Sequence, residues 1–354
     1  MIFLRISVMD LQVGDRTSLD VFNKNGVLIV AAHTALNASD INKLNLHQID
    51  DVDLMIRFDG FTEEAQKPLN ISQDEVTQQI KAYGEAVDGI KYLFESSSKT
   101  GKLDDAQVNE SFAPLSNQFV QEKDVVALLL NLTNQNDYTY QHSVQVGMIS
   151  YYIAKWLGQT NERAIIAGKA GYLHDIGKCR IDPEILNKPG RLTDEEFEEV
   201  KKHTLHGYQL IKDSKMSEAL AQAALQHHER YDGSGYPYQI KEAKIQPLSK
   251  IVAVADIYSA MISSRVYQEK KDLLFVLREL YLMSFGKIDP KITQVFIRNM
   301  IPNFIGKRVL LTSGEIGYII LTHPNDFFKP LVQIDDYFIN LAEHPELEIE
   351  EVYV

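Results

Sequence analysis

Cysteine is almost missing from this chain. A single residue, Cys179, in 354 excludes an intramolecular disulfide framework and fits a reducing, cytoplasmic setting. It also leaves no thiolate set for a metal. Long apolar runs are missing too: none approaches the ~20 residues that a transmembrane helix needs. The opening M-I-F-L-R-I-S-V-M-D lacks a secretory pattern, so no membrane insertion is expected. Positive charge is scarce. A net charge of −13 argues against DNA or general nucleic-acid binding, which needs a basic face. It leaves room for a small anion held by local cations in a cleft. No repeat or low-complexity tract appears. A hydrophobic fraction of 45% and the length predict a globular protein of two or three domains.

Histidine is what stands out. Six of the ten histidines fall between His142 and His228. Two runs concentrate them: G-Y-L-H-D-I-G-K from Gly171 to Lys178, and H-H-E-R-Y-D-G-S-G-Y-P from His227 to Pro237. Adjacent histidines make poor core residues, because each buried ring nitrogen needs a partner. A metal ion supplies one.

Helix signals place the candidates. Asn136 or Asp137 can cap a helix that carries His142 and stops near Gly158. Asn161 can cap the next, which ends at His174–Asp175. Thr193 and Glu196 form a capping box for a helix holding His203. Ser217 opens an Ala-rich helix ending at His227–His228, and Pro247 lies near the start of a very apolar one. In that last helix Asp256 is the only charge within I-V-A-V-A-D-I-Y-S-A-M, and burying it ionised is costly unless cations or donors meet it.

Seven candidate ligands result: His142, His174, Asp175, His203, His227, His228 and Asp256. Four close a structural zinc site, so seven suit two metals sharing a carboxylate, about 3.5–4 Å apart, with open positions for water. Mixed imidazole and carboxylate donors fit iron, manganese, zinc or nickel better than magnesium or calcium.

At these residues the sequence resembles the HD-GYP family, the branch of the HD metallohydrolases that degrades cyclic di-GMP in bacteria. The similarity runs from about Val125 to Met300. H-D-I-G-K, K-K-H, the H-H-E-R-Y-D-G-S-G-Y-P run and A-D-I-Y-S-A-M followed by S-S-R-V-Y occur in order. The resemblance implies a mainly α fold: an HD-type all-helical catalytic domain, here with small β-rich N- and C-terminal appendages. It implies one metal on His142, His174, Asp175 and Asp256, and a second on Asp175, His203, His227 and His228, with iron or manganese foremost. Lys178 and Arg265 would meet substrate phosphate, and Gly235 and Tyr236 would line the guanine pocket. Two departures stand out. Tyr138 occupies the place of a glutamate that holds a third metal in some members, so two metals are expected. Gln268 replaces a cation found three residues after the arginine in many members, although Lys270 and Lys271 follow.

The flanks read differently. Residues 1–60 form a β-rich module, with a hairpin turning at Asn25–Gly26 and a short helix from Ser39 toward Leu46. Residues 61–124 are helical, with Ser72–Glu75 as a capping box. Val76, Ile80, Tyr83, Val87 and Ile90 make a coiled-coil-like seam, and Val108, Phe112, Leu115 and Phe119 repeat the spacing, with Pro114 expected to kink or divide that segment. The seam serves either a homodimer or a helical hairpin on the chain's own catalytic domain. Residues 125–300 form the catalytic domain. Residues 301–354 return to strands around a turn at Ser313–Gly314.

The expected activity is hydrolysis of cyclic di-GMP to linear pGpG and on to GMP, with Asp175 and Lys178 at the reacting phosphate and a metal-bridging hydroxide as nucleophile. Glu229 is expected to support a histidine. Alternatives are another cyclic dinucleotide such as cyclic GMP–AMP, a non-catalytic cyclic di-GMP effector, or a scaffold touching a diguanylate cyclase through the G-Y-P loop.

Overall fold

A computed structural model describes residues 3–8, 11, 15–24, 26–47, 49, 51–55, 73–119, 138–263, 273–323 and 326–353. The chain divides into two compact units, Met1–Asn70 and Ile71–Val354.

In the first unit, β1 (Phe3–Ser7), β5 (Asp51–Met55) and β2 (Arg16–Thr17) form an antiparallel sheet in the order β1-β5-β2. The hairpin of β3 (Val21–Phe22) and β4 (Leu28–Val30) turns through Gly26, whose φ of +75° suits glycine. Asn25 lies outside the described residues. Asn37 starts α1 (Ala38–Leu46) with a capping box to Asp40. Val8, Val21, Val30, Leu36, Leu44, Val52 and Leu54 make this unit's own core.

In the second unit, α2 (Gln73–Thr100) folds back on α3 (Asp105–Phe119) through Gly101. The α2 seam is covered within the chain. Tyr83 and Ile90 are buried and Val87 packs beside them, in the same core as Val108, Phe112 and Leu115. Only Ile80 of the described seam side chains is exposed. Of the two covers open to this seam, α3 and the helices beyond supply the intramolecular one. Ser72 lies outside the described residues, as do the side chains of Val76 and Phe119. Pro114 does not divide α3; packing of Val108, Phe112 and Leu115 holds the helix through it.

Next come α4 (Tyr138–Trp156) and α5 (Asn161–Leu173), the most closely packed pair. Gly171 makes that approach possible, because a Cβ there would lie 2.5 Å from the Val146 carbonyl oxygen. Thr160, not Asn161, caps α5: its side chain accepts from the Arg163 N–H, which leaves Asn161 as the first helical residue. Short α6 (Pro183–Leu186) leads to α7 (Asp194–Lys201), where the Thr193–Glu196 capping box forms. This helix does not carry His203. It stops at Lys201, and His203 opens α8 (His203–Asp213). The His203 ring accounts for the break: it takes the Val200 carbonyl, which an unbroken helix would offer to the residue 204 N–H. Then follow α9 (Glu218–Gln226), capped by Ser217, α10 (Pro247–Ser263), α11 (Leu273–Met283) and α12 (Pro290–Met300).

After Met300 five antiparallel strands, β6 (Arg308–Leu311), β7 (Ile316–Leu321), β8 (Leu331–Ile334), β9 (Tyr337–Asn340) and β10 (Ile349–Tyr353), run in the order β10-β6-β7-β8-β9. Gly314, at φ +85°, makes the turn between β6 and β7. Val309, Leu311, Ile319, Val332 and Val352 join the helical core, so the sheet is an extension of the second unit. No helix among the described residues is long and apolar enough to cross a membrane.

A candidate metal centre at the helix ends

Three of the histidines occupy equivalent places. His174 follows the last residue of α5, His227 follows α9, and His203 comes just after α7. The last carbonyls of a helix have no partner within it, and each ring takes one. Nδ1 of His174 donates to Gly171 O at 2.6 Å, Nδ1 of His203 to Val200 O at 2.7 Å, and Nδ1 of His227 to Ala224 O at 2.9 Å. A carbonyl can only accept, so Nδ1 carries a proton and the neutral ring presents its lone pair at Nε2.

Those lone pairs converge on Asp175. Its Oδ2 is 3.2 Å from His174 Nε2; its Oδ1 is 3.3 Å from His203 Nε2 and 3.8 Å from His227 Nε2. The Nε2 atoms of His203 and His227 face each other at 3.3 Å. All four residues are buried, and His174 Nε2 and Asp175 Oδ1 have no hydrogen-bond partner. Buried acceptors opposite one another, with no proton between, are unfavourable unless a cation joins them. The donor set fits a divalent metal.

His142 is held differently. It lies inside α4, and its ring is oriented from α10: Nδ1 is 3.0 Å from Ser259 Oγ and Nε2 is 2.9 Å from Asp256 Oδ1. The Ser259 hydroxyl in turn donates to Gln145 Oε1 at 2.9 Å. Asp256 reaches 3.9 Å from His174 Nε2 and 3.7 Å from His228 Nδ1. Two groups with metal-binding geometry result: Asp175, His203, His227 and His228, and His142, His174 and Asp175. Asp175 belongs to both, and Asp256 adjoins the second through His142.

Electrostatics follow from burial. Desolvation lowers His203 to about 4 and His228 to about 3, and holds His227 well below its ordinary value, so all three rings are neutral, as ligands must be. Burial alone would raise Asp175 and Asp256. His174, itself raised against burial by its carboxylate neighbours, and Lys178 overcome it at Asp175, and the His142 hydrogen bond does so at Asp256, so both carboxyls are held ionised. Lys178 Nζ lies 2.5 Å from Asp175 Oδ2.

The G-Y-P loop closes one side. Tyr236 stacks on His228, with ring centroids 4.6 Å apart and planes at 30°. Gly235 is required there, because a Cβ would lie 2.4 Å from the His228 carbonyl oxygen. Glu229 supports this loop and not a histidine: its Oε1 accepts the Tyr238 N–H at 2.7 Å. The main chain turning after Pro237 supplies that donor.

An HD domain matches residues 124–292. Cyclic di-GMP phosphodiesterase PA4108 of Pseudomonas aeruginosa is 31% identical over 243 residues, 68% of this chain and 58% of that protein. Residues 124–292 are an HD domain of the HD-GYP type. The 3'3'-cGAMP-specific phosphodiesterase 1 of Vibrio cholerae is 32% identical over 49% of this chain and 41% of its own length. This HD-GYP chain thus spans about half the length of the curated relatives it matches. Among solved structures, Bd1817, a HDG"Y"P protein from Bdellovibrio bacteriovorus, shares the fold at a TM-score of 0.52 and 18% identity, over 85% of this chain and 99% of that one.

The seven sequence-predicted ligands therefore meet in one place, with Lys178, Gly235 and Tyr236 around them. Arg265 lies outside the described residues, as do Gln268, Lys270 and Lys271, and so does the side chain of Tyr138. Sequence reasoning missed Ser259 and Gln145. Both stand three residues after a predicted ligand on the same helix, Asp256 and His142, a spacing that places them on the ligand's face.

Proposed function

We propose that this chain hydrolyses cyclic di-GMP to linear pGpG and then GMP, with two divalent metals, iron or manganese, shared across Asp175. The observation that carries this reading is the cluster of buried imidazole lone pairs around one ionised carboxylate. His142, His174, Asp175 and Asp256 would hold one metal, and Asp175, His203, His227 and His228 the other. Bound metals would supply Lewis acidity and an activated water for attack on phosphorus. The chain's own residues do the rest. Backbone carbonyls keep Nδ1 protonated and Nε2 available, Lys178 neutralises a non-bridging phosphate oxygen, and Tyr236 walls the cleft. Arg265, outside the described residues, is the residue to which the family resemblance assigns the remaining phosphate contact. The relative named for cyclic di-GMP matches over more of this chain than the one named for cyclic GMP–AMP, which supports the guanine ring.

The same reading places the protein in the cytoplasm, consistent with its single cysteine. It gives the G-Y-P loop a second use as a contact for a diguanylate cyclase, to which exposed Tyr238 next to Pro237 would contribute. A homodimer would have exposed Ile80 as its α2 contact. Anaerobically purified protein of measured metal content, incubated with cyclic di-GMP and with cyclic GMP–AMP, tests the activity by chromatography. Formation of pGpG and GMP, lost on chelation, is expected. Faster turnover of cyclic GMP–AMP would reassign the substrate, and binding without any product would make the chain an effector.

A further inference from the structure

Beside the metal centre, Phe197 and Lys201 form an aromatic corner against Tyr236. Phe197 and Lys201 stand one turn apart on α7 and so share a face, two residues before His203. Phe197 meets Tyr236 nearly edge-on, with centroids 6.4 Å apart and planes at 77°. Lys201 Nζ sits 4.7 Å from the Phe197 ring centroid and 5.6 Å from that of Tyr236. Glu198 holds the ammonium there at 2.6 Å. No residue of α7 is buried, and Phe197 is 46% exposed. The core therefore gives no reason for an aromatic ring at this position. A ring half open to solvent, beside a cation and a stacked Tyr–His pair, has the chemistry of a base platform: every nucleobase has a π-face for stacking. Of guanine and adenine, only guanine offers two acceptors, O6 and N7, on one edge to a lysine, whereas adenine places a donor amine at the first.

We propose that Phe197 and Lys201 form a guanine-reading subsite beside the metal centre, Phe197 stacking the base and Lys201 donating to O6 and N7. The inference rests on the cyclic dinucleotide reading of the site and names residues that discriminate within it.

The test uses full-length, metal-loaded protein with Phe197→Ala and Lys201→Met, the latter keeping the aliphatic stem but removing the donor. Steady-state kinetics on cyclic di-GMP and cyclic di-AMP are paired with calorimetric binding of cyclic di-GMP. Phe197→Ala is expected to raise KM and Kd about five- to a hundredfold, with kcat held within about twofold because the contact is the same in ground and transition state. Lys201→Met is expected to cut the preference for the guanine ring about tenfold. Metal content is measured in each variant; if Phe197→Ala loses metal, Phe197→Leu keeps the volume and removes the flat face. Unchanged KM and Kd in Phe197→Ala, or a wild type indifferent to guanine and adenine, overturns the subsite and leaves the hydrolytic reading standing. A wild type that binds cyclic di-GMP without cleaving it, with binding weakened in both variants, supports the subsite and overturns the hydrolytic reading. Absence of binding to either ring overturns both.

Discussion

His142 and the three helix-end histidines reach the same cluster by opposite routes. His174, His203 and His227 are aimed by the backbone carbonyls of their own helices, three residues back in each case. His142 sits inside α4, where carbonyls are already used by the helix, so its ring is aimed by Ser259 and Gln145. The first device is local and no side-chain substitution outside the ring removes it. The second needs two helices in register. Three ligands are built into secondary structure, and the fourth is a product of packing.

The largest effect should come from the residue common to both halves. Asp175→Ala is expected to lower hydrolysis to background and to reduce bound metal below one equivalent per chain, measured by elemental analysis. Near-wild-type turnover in metal-replete buffer would break the shared-carboxylate scheme. Next is metal removal itself. Chelation should destabilise the fold, by about 4 kcal/mol when free metal had stood a thousandfold above its Kd. In the stripped protein alone, His227→Leu should then raise the melting temperature, because it removes one of two lone pairs facing each other at 3.3 Å. A stripped protein that melts like the loaded one would mean that the cluster is satisfied without cations.

Ser259→Ala sharpens the contrast between the two devices. It should cost about ten- to a hundredfold in activity or in affinity for one metal, the usual loss when a ligand's supporting hydrogen bond goes, and Gln145→Ala should follow it in the same direction. Metal titration separates the outcomes: equal loss of both metals would show that His142 is not individually dependent on packing. The smallest effect belongs to the loop. Glu229→Gln keeps an acceptor for the Tyr238 N–H and should raise KM by a few-fold at most, whereas Glu229→Ala should raise it further with metal content intact.

Much of this was legible in the residues. The capping box at Thr193, the Ser217 cap and the isolated carboxylate in the Asp256 helix each announce an element or a ligand through local chemistry. The three carbonyl-bonded rings were also within reach, since each falls at or just past a helix end, where orphan carbonyls wait. Other features were not legible because they depend on what comes near in space. The Tyr83–Ile90 seam has the same spacing whether a second chain or α3 covers it, and only packing distinguishes the two. Glu229 adjoins His228 in sequence, yet the turn after Pro237 brings it a main-chain donor instead.

The sequence by itself determined most of the helices, the Thr193 and Ser217 caps, the seven candidate ligands and the family resemblance, because these depend on residue type and short-range spacing. The tertiary structure alone decided that Asp175 stands between both ligand groups, that Ser259 and Gln145 aim His142, that α3 covers α2, and that Phe197 and Lys201 frame Tyr236. Each of these joins residues from separate elements. Such contacts are set by how helices pack, and no period or motif along the chain encodes the distance between them.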